Sequence, residues 1–100
     1  MRVSFGSNVY VRVGNGKVDG NKIGKFVGDI SSTITDLSKN RDSMTVIFEP
    51  DFERDKFTVN CTYNGPEGGY SDCMPSSDLS DGKIRAFITE AKTVLSGSGS

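Results

Sequence analysis

Residues 43–63 read SMTVIFEPDFERDKFTVNCTY. An apolar run, Met44-Thr45-Val46-Ile47-Phe48, leads into a charged stretch, Glu49-Pro50-Asp51-Phe52-Glu53-Arg54-Asp55-Lys56. A second run follows, Phe57-Thr58-Val59-Asn60-Cys61-Thr62-Tyr63. In it Phe57, Val59, Cys61 and Tyr63 alternate with Thr58, Asn60 and Thr62, the period of a strand with one buried and one polar face. The first run is more uniformly apolar, which leaves its facing open. Two such runs joined by a short polar segment predict a β-hairpin, and with it the centre of a sheet.

On the N-terminal side, Val3, Phe5, Val9, Val11 and Val13 share odd positions, which predicts strand over residues 2–13. Gly6-Ser7-Asn8 interrupts it as a tight turn or bulge. Gly14-Asn15-Gly16 predicts a hairpin turn, because Asn and Gly accept positive φ, with Lys17-Val18-Asp19 as a short partner strand. Ile23, Phe26, Val27, Ile30, Ile34 and Leu37 then follow helical spacing, predicting one helix over 21–38 with Asn21 as its N-cap. Gly24 and Gly28 each cost about 1 kcal/mol against Ala in such a helix. Ser31, Ser32, Thr33 and Thr35 are also mediocre helix formers, so this helix depends on tertiary packing.

On the C-terminal side, Asn64-Gly65-Pro66-Glu67-Gly68-Gly69 cannot continue a strand and predicts a long loop to about residue 80. Ser80 is a good N-cap for a last helix, and Leu79 with Ile84 has the spacing of a hydrophobic staple. Ile84, Phe87, Ile88, Ala91, Val94 and Leu95 form its apolar stripe. The order ββαββα or βαββα predicts an α+β two-layer sandwich. It consists of a twisted antiparallel sheet of three to five strands with two helices on one face.

One hundred residues make one domain, read as residues 1–95, with the Gly/Ser tail at 96–100 resembling a linker or a cloning scar. No apolar run reaches the ~20 residues of a membrane helix, and residues 1–6 lack the apolar core of a secretory signal, so the expected location is cytoplasmic. Net charge is −1 but divided. Residues 1–41 hold seven basic and three acidic side chains, a net of +4; residues 42–100 hold five and ten, a net of −5.

Histidine is absent. That removes Ser-His and Cys-His nucleophile pairs and the usual zinc sets, and no carboxylate, Lys or Tyr pair with catalytic spacing stands in their place. The expectation is therefore no enzyme, with no cofactor, metal or catalytic residue. The glycine-rich stretch from Gly14 to Lys25 has neither GxxxxGK[ST] nor GxGxxG spacing; Gly20, Gly24 and Gly28 at four-residue intervals suit a smooth face for close packing. Glu49, Asp51, Glu53 and Asp55 alternate without the glycine of a calcium loop, which fits a solvated tip better than a Ca²⁺ site. Cys61 and Cys73 suit one core thiol and one loop thiol in a cytosolic chain, or a disulfide closing residues 62–72. Asn60-Cys61-Thr62 matches a glycosylation sequon but falls mid-strand.

These readings converge on a small non-enzymatic binding protein. It is expected to act through the acidic hairpin tip and the following loop, on Glu49, Asp51, Phe52, Glu53, Asp55, Glu67, Tyr70 and Asp72. The expected partner is a basic protein, such as a nucleic-acid-binding one, and the type is an inhibitor or accessory protein of the kind phages and mobile elements encode. One alternative is a nucleic-acid-binding module using the basic half, on Arg2, Arg12, Lys17, Lys22 and Lys25. Another is a disulfide-stapled extracellular domain. No membrane partner is expected.

Overall fold

The computed structural model describes residues 2–6, 8–14, 20–39, 44–63 and 69–97. The hairpin stands at the centre of the fold. β3 (Met44–Asp51) and β4 (Lys56–Tyr63) pair antiparallel over eight residues, from Met44 opposite Tyr63 to Asp51 opposite Lys56. The facing that the sequence left open is strict alternation: Met44, Val46, Phe48 and Pro50 are buried, while Thr45, Ile47, Glu49 and Asp51 are half-buried.

β1 (Arg2–Ser4) and β2 (Val9–Arg12) pair antiparallel, and β2 lies beside β3. Gly6 makes the turn between β1 and β2 with φ at +88°. A fifth strand, β5 (Tyr70–Pro75), pairs with β4. The sheet order is β1-β2-β3-β4-β5. The fold is thus the expected α+β sandwich of helices on a sheet, with two corrections. The sheet is mixed, because β2 and β3 run parallel. A parallel pair needs a crossover of a dozen or more residues, and the helical segment between β2 and β3 supplies it. The second correction is β5, which occupies part of the stretch expected to be loop. Its burial is that of an edge strand: only Tyr70 and Met74 are half-buried, and the other four residues are exposed.

The helix expected over 21–38 is two helices, α1 (Gly20–Asp29) and α2 (Ser31–Lys39). Asn21 falls inside α1 rather than at its cap. The break is at Ile30, whose N–H reaches back to the Val27 carbonyl at 3.2 Å while its own carbonyl accepts the Ile34 N–H at 2.9 Å. Ile30 therefore ends one helix on a tightened turn and serves as the N-cap residue of the next. Its side chain is fully buried. The glycines at 20, 24 and 28 do not make a packing face. All three are exposed, and a Cβ added to any of them would meet nothing within 4 Å.

The last helix, α3 (Asp81–Gly97), begins as expected at Ser80, whose Oγ accepts the Lys83 N–H at 3.3 Å. It extends through Gly97, two residues into the Gly/Ser tail. Ile23, Phe26, Ile30, Ile34, Leu37, Ile84, Phe87, Ile88 and Ala91 come down from the helices onto Val9, Val11, Met44, Val46, Phe48, Phe57, Val59 and Cys61 of the sheet, forming one core. Phe26 is its aromatic centre, edge-on to Phe48, Phe52 and Phe57 at centroid distances of 6.3, 6.5 and 5.8 Å. Apart from Gly14, the turn and strand expected over residues 14–19 lie outside the described residues.

Candidate functional site at the hairpin end

The site expected from sequence combined a hairpin tip with the loop that follows the hairpin. The structure divides its members. Because β5 runs antiparallel to β4, Pro75 lies beside Lys56 at the tip, while Tyr70 lies beside Cys61. Five residues of strand, about 17 Å, separate those two positions. Tyr70 and the tip acids therefore do not form one patch.

Each member has its own placement. Glu49 faces away from the helices and forms an ion pair with Arg12 of β2, Nη2 to Oε1, at 2.9 Å. Asp51 shapes the turn. Its Oδ1 accepts the Arg54 N–H at 3.2 Å and its Oδ2 lies 3.3 Å from the Arg54 guanidinium. The backbone bond from Arg54 is the main cause that holds the Asp51 carboxyl below the usual carboxylate range. Phe52 is no exposed anchor, since its half-buried ring packs edge-on against Phe26. Asp55 takes the left-handed conformation that closes the turn, with φ at +55°, and its carbonyl accepts the Ser76 N–H at 2.9 Å. Asp is one of the few residues besides Gly that tolerate this geometry. Glu53 and Asp55 are left as exposed carboxylates on a turn fixed from both sides.

Away from the tip, Tyr70 packs on Phe87 of α3 with ring centroids 5.3 Å apart. Burial against the helix, then the neighbouring Glu90 carboxylate, pushes its hydroxyl pKa up. Asp72 is exposed on β5, and its Oδ1 accepts the Cys73 N–H at 2.9 Å. Glu67 lies outside the described residues.

The basic set is also dispersed. Arg12 is engaged by Glu49, Arg2 stands opposite Arg12 in the β1–β2 pair, and Lys22 and Lys25 are exposed on α1. Lys17 lies outside the described residues. The disulfide alternative fails on geometry. Cys61 is buried beneath the helices, opposite Val46, whereas Cys73 is exposed and pairs with Thr58 on the uncovered face. The two thiols point to opposite sides of the sheet and are unbridged. Burial raises the Cys61 thiol to about 12.

Sequence reasoning did not find the polar contact between α2 and α3. The carboxylate of Asp81, in the first turn of α3, accepts both the Thr33 N–H at 3.0 Å and the Thr33 hydroxyl at 2.6 Å through Oδ1. Those bonds from Thr33 hold the Asp81 pKa down. Arg85, one turn along, donates to Ser32 Oγ at 2.8 Å and pairs with Asp36 at 2.6 Å. Long-range pairings of this kind leave no local sequence signal. Among the described residues no three His, Cys, Asp or Glu side chains gather as a metal site, and no helix is long and apolar enough to cross a membrane. Neither a family model, nor a curated protein, nor a solved structure matches this chain.

Proposed function

We propose that this chain is a small non-enzymatic binding protein that engages a basic protein segment through the end of its central hairpin. The observation that carries the reading is the pair Glu53 and Asp55. Both are exposed on a turn that Asp51 fixes from within and Ser76 braces from beside it. Carboxylates held on a rigid turn lose little freedom when a cation docks, which lowers the entropic cost of association. The interface is smaller than the sequence alone implied. Glu49 and Asp51 are occupied by Arg12 and Arg54, and Phe52 by the core.

Among the described residues, Val94 is the large hydrophobic side chain exposed to solvent. A polar, charge-led contact is therefore the mode of binding that suits this surface, with an on-rate sensitive to salt. A cytoplasmic setting and an inhibitor or accessory role, of the kind encoded by mobile elements, go with this reading. Two unbridged cysteines are the usual state in a reducing compartment.

The test is affinity capture from the source cells with the wild type and with Glu53→Lys/Asp55→Asn, asparagine being tolerated in the left-handed conformation of residue 55. Glu49 and Asp51 are left intact because reversing them would also break the Arg12 and Arg54 contacts. A basic protein retained by the wild type and lost by the folded variant is the expected result. Equal recovery by both proteins removes the hairpin end as the interface.

A further inference from the structure

Among the described residues β5 is an edge strand, and an edge presents a row of backbone donors and acceptors that a second chain can join. On such an edge alternate residues turn their N–H and C=O outward. Pro75 fixes which residues these are. It has no N–H to give β4, so the Lys56–Pro75 pair is of the non-hydrogen-bonded kind, and the outward positions are Pro75, Cys73 and Ser71. The side chain of Asp72 agrees independently. Its Oδ1 takes the N–H of Cys73 at 2.9 Å, which requires that N–H to point away from β4.

Two of the three outward positions thus offer no free N–H, for different reasons: Pro75 lacks the hydrogen, and the hydrogen of Cys73 is held by the carboxylate next to it. We propose that β5 is a guarded edge, on which Asp72 and Pro75 together prevent antiparallel strand pairing with a second copy of this chain. An incoming strand must exchange both N–H and C=O with Cys73 to pair there. To do so it must expel a charged, hydrated carboxylate and bury it nearby. At Pro75 it finds only an acceptor. The second copy is the relevant partner because the open side of β5 offers that copy an identical edge, and antiparallel pairing of like edges closes with two-fold symmetry. The opposite edge is limited differently, since β1 is only three residues long.

The experiment compares the wild type with Asp72→Ala/Pro75→Ala by sedimentation, and follows exchange of the Cys73 amide hydrogen by NMR in the single variants. The expected result is a doubled sedimenting mass for the folded double variant and an unchanged mass for the wild type. Asp72→Ala should speed exchange of the Cys73 amide, while Asp72→Asn, which keeps an acceptor oxygen, should retain most of its protection. A folded double variant with wild-type mass overturns the proposal. So does a wild type that already self-associates through β5. If the double variant does not fold, an Asp72→Ala variant whose Cys73 amide exchanges at the wild-type rate has the same consequence.

Discussion

Asp81 does for α2 what Ile30 cannot. An N-cap normally carries a side-chain oxygen for the orphan N–H two or three residues on, and isoleucine has none. Burial in the core selects Ile30 for that position, and the donor left over, Thr33 N–H, is satisfied from α3 instead. Thr33 is polar yet buried, and Asp81 accepts from both its groups. Asp81→Ala therefore leaves two donors without an acceptor and should cost about 2–3 kcal/mol by urea unfolding, while Asp81→Asn, which keeps one acceptor, costs less.

The pH dependence has a defined sign. Asp81 and Asp51 have folded pKa values below their ordinary 3.8. Their stabilisation is present above 3.8 and is lost as pH falls through the lowered folded values. The stability gap between wild type and Asp81→Asn should accordingly narrow between pH 7 and pH 3; a gap that stays constant would contradict the assignment. The cysteines give a second residue-level prediction. In the native protein a thiol reagent should label Cys73 and spare Cys61, whose buried thiol is raised to about 12; Cys61 should react only on unfolding. Equal labelling of both would place Cys61 outside the core.

Among the elements, those with strong periodicity were legible and those at the margins were not. β4 and α3 followed from alternation and from a helical stripe with a serine cap, and the odd-position valines gave β2. β5 was hidden because Asp and Pro are poor strand residues, yet both are tolerated on an edge. The break in the long helix was hidden because Ile30 fits the apolar stripe on both sides of it. The glycines were misread because four-residue spacing does not reveal which side of a helix faces solvent.

That correction has a measurable consequence. Gly24→Ala adds a methyl where nothing lies within 4 Å, so it should stabilise the protein by about 0.5–1 kcal/mol. Gly69→Ala should gain less. Its Cβ would sit 3.1 Å from both Asn60 Oδ1 and Thr62 Cγ2, so those two side chains must give way by a few tenths of an ångström. Thermal melts should rank Gly24→Ala above Gly69→Ala.

At the scale of the whole molecule, the parallel pairing of β2 and β3 had a trace in the chain. An apolar strand at 9–13, a helical stretch and an apolar strand at 44–48 form a βαβ pattern, which favours parallel neighbours. The strength of the central hairpin signal drew the reading towards an antiparallel sheet throughout. The site was less legible than the fold. Sequence places Glu49, Asp51, Phe52, Glu53, Asp55, Tyr70 and Asp72 within 24 residues, but the fold sends them to both faces of the sheet and both ends of β4. Charge counted along the chain is likewise a poor guide to charge on the surface, since Arg12, from the basic half, neutralises Glu49 of the acidic half.

The proposed interface is the hairpin end, where Glu53 and Asp55 are exposed. Mapping amide shifts while a Lys/Arg-rich peptide is titrated into isotope-labelled protein tests this directly. Shifts should concentrate at residues 51–56, with affinity falling about tenfold in Glu53→Gln/Asp55→Asn, the loss of two exposed ion pairs at up to ~1 kcal/mol each. Shifts centred elsewhere, or an affinity unchanged in that variant, would contradict it.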